Sequence, residues 1–278
     1  MFSGFTLGII EFRNLVNVIN EVYQLDYSNF AFTAFCRRIE FVMQNNNIHT
    51  PSDLMNKIKN DKLFFEIFIR DIAVDETEMF RDPGLWRELR DTIIPKFLAE
   101  KEIRIWIPMM TSGDELFTLL IVLREMNLLD KVKVVASTYS TSNIERIKKG
   151  IYNLKKMDTN LANYKRYNGD DDLSSYYKTY NGDAFMDAKL HEHVEFNTLD
   201  ILKDKYPQRN HIILFRDKMI YMNKKLQNDI VNAMHEDLVS HGYLLIGIKE
   251  YLEIFIADKK FVLENEHESI YRKHFVVQ

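Results

Sequence analysis

With one cysteine in 278 residues, Cys36, the chain can form no internal disulfide. So sparing a use of thiols makes a cytoplasmic setting the expectation. No apolar run reaches the roughly 18–20 residues that span a bilayer, so no membrane insertion is expected. The opening stretch MFSGFTLGIIEFRN lacks a basic start and a small-residue cleavage site, and is not expected to act as a signal peptide. Positive charge is not in surplus either. Lys and Arg number 37 against 41 Asp and Glu, a net charge of −4, which argues against a nucleic-acid partner. What is present is ordinary globular composition, 46% apolar and 28% charged, in a chain long enough for a medium domain and a small one.

Residues 1–75 carry no strand pattern. Phe12, Leu15, Val16, Ile19 and Val22 recur at helical spacing, and Phe30, Ala34, Phe35, Ile39 and Val42 share a face between Tyr27 and Gln44. The tract Asn45-Asn46-Asn47 stops that helix. Thr50-Pro51-Ser52-Asp53 starts a third, running to Lys59, and a fourth covers Leu63 to Asp71. These Phe and Met stripes are core, and Cys36 falls among them as a small buried hydrophobe. An all-helical N-terminal domain is expected.

From residue 76 the texture changes. Pro83 to Glu100 reads as a linking helix. Short β-rich runs at Ile103–Ile107, Val132–Ala136, Ile212–Phe215 and Tyr243–Gly247 alternate with helical stretches at Asp114–Met126, Ser142–Lys149 and Lys224–Val239. That alternation implies a parallel sheet with right-handed crossovers. Phe261–Leu263 and Tyr271–Val277 read as a closing hairpin. Tyr-Asn-Gly-Asp occurs at 167–170 and again at 180–183. Asn-Gly suits two-residue hairpin turns, so a small antiparallel β insertion over about 160–193 is expected, with turns at Asn168-Gly169 and Asn181-Gly182. Asp170-Asp171-Asp172 lacks the alternating ligand spacing of a calcium loop and reads as a solvated turn. His191-x-His193 reads as solvated rather than metal-binding. No metal site is expected.

In an open α/β sheet, ligands sit beyond the carboxyl ends of the strands. That selects 108–115, 137–140, 198–201 and 216–221. Here the residues resemble a known family. Asp75-x-Thr77-x-x-Phe80-Arg81-Asp82-Pro83 is similar to Asn-x-Thr-x-Phe-Phe-Arg-Asp. Ile105-Trp106 followed by Thr111-Ser112-Gly113-Asp114-Glu115 resembles Ile-Trp-Ser-Ala-Gly-Cys-Ser-Thr-Gly-Glu-Glu. Gly150-Ile151-Tyr152, Val194-Glu195-Phe196 with Asp200-Ile201-Leu202, Phe215-Arg216-Asp217-Lys218-Met219-Ile220-Tyr221, and Gly247 with Glu250 follow in register. Each is weak alone; in order, from about Asn29 to Glu250, they resemble the S-adenosylmethionine-dependent protein-glutamate O-methyltransferases of bacterial chemotaxis, the CheR family.

The resemblance implies an α/β fold: a Rossmann-like class I methyltransferase sheet with helices on both faces over 76–278, a small antiparallel β insertion, and the helical domain at 1–75. It implies that Thr77 and Arg81 line the donor pocket, that Gly113 belongs to the donor-binding loop, that Glu115 meets the donor's methionyl end, that Thr138 meets the ribose, and that Asp200, Ile201, Asp217 and Lys218 surround the adenosyl portion. Arg81 and Tyr221 would face the methyl group and the acceptor carboxylate. Each has a plainer alternative. Arg81 could pair with Asp82, Tyr221 could simply pack, and Glu115 could be a helix N-terminal acid. The chain departs from the family pattern at Met109, where a glycine stands, and at Thr138, where an acid stands; both bear on S-adenosylmethionine binding. The implied partner is a chemoreceptor or related signalling protein, engaged through the β insertion. The basic patch on the second helix reduces to Arg37 and Arg38. Three functions stay open: methyl transfer to glutamate carboxylates with a degenerate donor loop, a catalytically silent interaction module, and a module binding another small ligand.

Overall fold

The computed structural model describes residues 7–72, 78–138 and 140–274. It divides into two compact units, Met1–Asp75 with Lys218–Val231, and Glu76–Asp217 with Asn232–Gln278.

The first unit contains α1 (Ile9–Tyr23), α2 (Phe32–Asn45), α3 (Pro51–Asn60) and α4 (Lys62–Ile72). Thr50 caps α3 by accepting the Asp53 N–H, with Pro51 in the first turn where its missing donor costs nothing. The apolar face of α1 is offset from the expected one. Val18 is buried, whereas Val22 stands 43% exposed. Phe30 lies outside α2, in a bridge to Met222. Cys36 is buried, and burial pushes its thiol up to about 11.

The second unit is built on a seven-stranded sheet. Its strands are β1 (Ile103–Ile107), β2 (Val132–Thr138), β6 (Glu195–Thr198), β7 (Asn210–Phe215), β8 (Leu238–Ile246), β9 (Phe261–Asn265) and β10 (Ile270–Lys273). Their order is β6-β2-β1-β7-β8-β10-β9. The first five are parallel; β10 enters antiparallel against β8, and β9 closes the edge. This is the expected Rossmann-like sheet with its closing hairpin. Its central strands are largely buried and mostly apolar, interrupted by Arg104 in β1 and opened by Asn210-His211 in β7, as parallel strands covered on both faces tend to be. The helices of this unit are α5 (Pro83–Glu88), α6 (Asp114–Glu125), α7 (Thr141–Lys149), α8 (Leu154–Tyr167) and α10 (Glu253–Ala257), while α9 (Lys224–Asp237) begins in the first unit and ends in this one. The expected helix over 83–100 is three windings in series, since a π turn (Leu89–Ile93) and a 3₁₀ turn (Ile94–Phe97) follow α5.

The insertion is a second sheet, order β3-β5-β4, from β3 (Ile151–Asn153), β4 (Tyr177–Tyr180) and β5 (Asp183–Met186). Asn181-Gly182 is the hairpin turn, with φ of 49° and 85°. Asn168-Gly169 is not. Asn168, at φ 60°, ends α8 as a left-handed C-cap, so residues up to Tyr167 that were expected in the insertion are helical. Both roles demand a residue tolerant of positive φ, and Asn-Gly serves either. Asp172 caps a short 3₁₀ turn there by accepting the Ser174 N–H. Among the described residues no group of acids, histidines and cysteine is arranged to hold a metal, and no helix is long and apolar enough to cross a membrane.

At the amino ends of β7 and β8, Asn210 donates its amide to the Asp237 carboxylate, while Asn210 Oδ1 and Asp237 Oδ1 are buried without partners. Burial pushes Asp237 up to about 6, against the opposing pull of the Asn210 hydrogen bond, Lys273 and Arg104. The folded state therefore holds a proton that the unfolded chain releases near pH ~3.9. The stabilisation is complete below that value and is lost as pH rises through about 6. Asp237→Asn, which keeps the neutral form at all pH, is expected to be more stable than the parent by about 1–2 kcal/mol at pH 7.5. The gap should close toward pH 4, read from urea midpoints; a pH-independent gap would contradict this.

Candidate functional site

The chain reverses its direction of travel across the sheet between β1 and β7. At such a switch point the loops leaving the two strands part and open a crevice at their carboxyl ends. The loop after β1 runs from Pro108 to Gly113. Met109 adopts φ 50° and Gly113 φ 84°. A side chain at 113 would press to 2.8 Å from Ile147, so glycine is required there. Met109 keeps a left-handed conformation that costs a side-chain-bearing residue about 1–2 kcal/mol. Neighbouring groups hold it. Asn143 Nδ2 donates to the Met110 carbonyl (3.1 Å), Arg146 Nη2 to that of Thr111 (2.6 Å), and the Tyr152 hydroxyl to that of Ser112 (3.2 Å). The Met110 N–H donates to the Ser137 carbonyl at 2.8 Å.

A second strained segment faces this loop. Phe80 and Asp82 both have φ 54°, and Phe80 is fully buried. Asn160 accepts the Met79 N–H and Thr118 the Phe80 N–H. The Trp86 indole donates to the Arg81 carbonyl at 2.9 Å. Arg216, leaving β7, closes the set. Its guanidinium is 5% exposed and joins Asp82 to Glu115, the latter at 3.4 Å. It also lies over the Trp86 ring. Arg81 is 39% exposed, with Nε 4.0 Å from Asp217. Asp217, at φ 56°, gives its N–H to Glu250 Oε2, which also accepts from Gly247 N–H. A Cβ at 247 would collide with the Asp217 carboxylate.

The structure thus brings together Arg81, Gly113, Glu115 and Asp217. Thr138 ends β2 almost fully buried, its hydroxyl accepting from Asn143 at 3.3 Å. Asp200 holds a turn, its carboxylate accepting the Leu202 N–H and its own N–H donating to Asp204. Ile201 is buried, and its carbonyl accepts from Tyr206. Lys218 and Tyr221 group with the first unit, where the Tyr221 carbonyl accepts the Ala31 N–H. Thr77 and Asp75 lie outside the described residues. Arg216 and Glu250 stood in the sequence motifs without an assigned role, and Asn143, Arg146 and Asn160 carried no sequence signal. Each polar helix residue looks like solvated surface until the fold buries it.

The family "CheR methyltransferase, SAM binding domain" matches residues 75–268. The Cher3 protein of Pseudomonas putida is 28% identical over 264 residues, covering 95% of this chain and 97% of that one. A chemotaxis protein methyltransferase of Borreliella burgdorferi is 31% identical, covering 64% of this chain and 65% of its own. One of Listeria monocytogenes is 21% identical, covering 87% and 90%.

Proposed function

From the premise that this chain belongs to the CheR methyltransferase family, we propose that it transfers a methyl group to a glutamate carboxylate of a chemoreceptor or related signalling protein. The observation that carries this reading is the cluster of strained backbone at the switch point. Phe80, Asp82, Met109 and Asp217 all hold positive φ there. Strain kept by bulky residues marks a shape maintained for use.

The residues fit the methionyl end of S-adenosylmethionine. The loop keeps its two left-handed turns, and Glu115 supplies an anion beside it. They fit the ribose end less closely, since Thr138 stands where the family has an acid and its hydroxyl is already engaged. Asp217 and Ile201 would flank the adenosyl portion. S-adenosylmethionine, when bound, supplies an electrophilic methyl on a positively charged sulfur. A glutamate acceptor is ionised near neutral pH, with a reference pKa of about 4.3, so no general base is needed. The protein's work is to orient and to exclude water, worth up to about 7–11 kcal/mol. Arg81, half-exposed among acids, is the group to receive the incoming carboxylate. The rival reading, a silent interaction module, draws on Thr138 and on the Met109 side chain in the donor loop.

Calorimetric titration with S-adenosylmethionine and S-adenosylhomocysteine separates the two. The parent is expected to bind both in the micromolar range. Met109→Gly should bind about tenfold more tightly, because it clears a side chain from the loop and lets the backbone approach the donor closely. No binding by the folded parent would sink the methyltransferase reading.

A further inference from the structure

The chain carries a net charge of −4, yet its positive charge is unevenly spread. From Arg146 to Lys156 there are five cations, Arg146, Lys148, Lys149, Lys155 and Lys156, and no acid. The stretch covers the end of α7, all of β3 and the start of α8. Gly150 turns the chain between α7 and β3 at φ 57°, where a Cβ would press to 3.0 Å from Met186. The buried residues of the stretch pack on the loop after β1. A Cβ at Gly113 would stand 2.8 Å from Ile147 and 3.3 Å from the Tyr152 hydroxyl. Two of the cations are engaged with that same loop. Arg146 donates to the Thr111 carbonyl, and Lys156 meets the buried Asp114 at 3.1 Å. The other three face water. Lys148 is 43% exposed, with Glu145 no closer than 3.9 Å. Lys149 and Lys155 are exposed and form no ion pair among the described residues.

We propose that Lys148, Lys149 and Lys155, carried beside the donor loop, form a docking surface for an acidic segment of the protein that bears the acceptor glutamate. This rests on reading the chain as a glutamate methyltransferase. Charge is the argument. The crevice is lined by Asp82, Glu115 and Asp217, which repel an anionic acceptor, so capture needs a positive surface close by. The basic pair expected on α2 is less available for this, since Arg38 donates to the Asp71 carbonyl at 2.7 Å. The helix ends add a second argument. Cations in the last turn of α7 complement the partial negative charge of that end. The lysines of α8 do the reverse. Asn153 caps α8 by accepting the Lys155 N–H, which puts Lys155 and Lys156 in its first turn, where the helix dipole favours acids. Asp114 compensates Lys156. Nothing compensates Lys155, whose charge works against the helix that carries it and adds to the field facing water. Contacts of this exposed kind steer and hold a partner; they do not touch the reacting atoms.

The test uses the full chain and two fluorescein-labelled decapeptides, one alternating glutamate with alanine, the other glutamine with alanine. Fluorescence anisotropy should show the acidic peptide binding, about tenfold more weakly at about 300 mM salt than at about 50 mM, and the neutral peptide not binding. Combining Lys149→Gln with Lys155→Glu should weaken the acidic peptide about tenfold at low salt and flatten its salt dependence. S-adenosylhomocysteine affinity should be unchanged in that variant. Lys155→Glu alone should melt no lower than the parent, because it places an acid in the first turn of α8, and it should still lose affinity for the acidic peptide. Acidic-peptide binding that survives in the double variant, or equal binding of the two peptides, overturns the proposal. So does binding to vesicles of phosphatidylserine and phosphatidylcholine through these lysines with none to the peptide, which would make the patch a membrane-facing one. If the parent binds no S-adenosylhomocysteine yet holds the acidic peptide through these lysines, the methyltransferase reading fails instead, and the docking surface stands as that of an interaction module.

Discussion

Arg216→Met is expected to lower stability by about 3–5 kcal/mol, which is the usual result of removing one partner from a buried ion pair. The guanidinium is 5% exposed, and its partners Asp82 and Glu115 are 19% and 16% exposed, so solvent screens little of the interaction. Methionine keeps the apolar stem over Trp86. What is lost is the cation between two carboxylates that then face each other. A protein of this size should melt lower by roughly 10 °C. Restoring charge balance with Asp82→Asn and Glu115→Gln on top of Arg216→Met should recover most of the loss. Equal melting of the single variant and the parent would mean that the cluster is not a unit.

Arg81→Ala is expected to leave stability within about 0.5 kcal/mol, as at most surface positions, yet to cut turnover about 100-fold, the scale of removing one pre-organised electrostatic group. An acceptor carboxylate approaching this crevice meets Asp82, Glu115 and Asp217. Arg216 is buried between two of them, and Arg81, 39% exposed and 4.0 Å from Asp217, is the cation proposed to meet the acceptor. S-adenosylhomocysteine affinity should change little in Arg81→Ala, because the thioether product carries no acceptor. Arg81→Lys should recover only part of the rate, since a point charge cannot reproduce a two-pronged grip on a carboxylate. The measurement is transfer of labelled methyl to a receptor fragment, beside titration with the product. A parallel fall in rate and product affinity would instead make Arg81 a donor-binding group.

The central sheet was legible because parallel strands covered on both faces are short apolar runs, and Ile103–Ile107 and Ile212–Phe215 cannot be solvated. The α8 helix was not. Its buried face includes Asn160 and Asn163 beside Met157, Tyr164 and Tyr167, and asparagine on an inward face gives no apolar period to detect. Those asparagines are inside because each meets the backbone at Met79. The site was legible only in its motif-bearing residues. Arg81, Gly113, Glu115 and Asp217 come together, whereas the groups that hold them come from helix faces whose burial is decided by tertiary packing. Val22 shows the same limit in reverse, since helical spacing alone cannot say how far an apolar stripe extends before it reaches water.

The loop after β1 is gripped at the carbonyls of Met110, Thr111 and Ser112 by side chains outside it. Every amino acid brings the same carbonyl, so a clamp of this kind is blind to the identity of what it clamps. The path of the loop is inherited from α7 and Tyr152, while its own letters ahead of Gly113 are left open to drift. A glycine-rich signature is then one spelling of this turn among several, and relatives that spell it otherwise would be recognised by the residues of the frame, Asn143, Arg146 and Tyr152, sooner than by the loop itself.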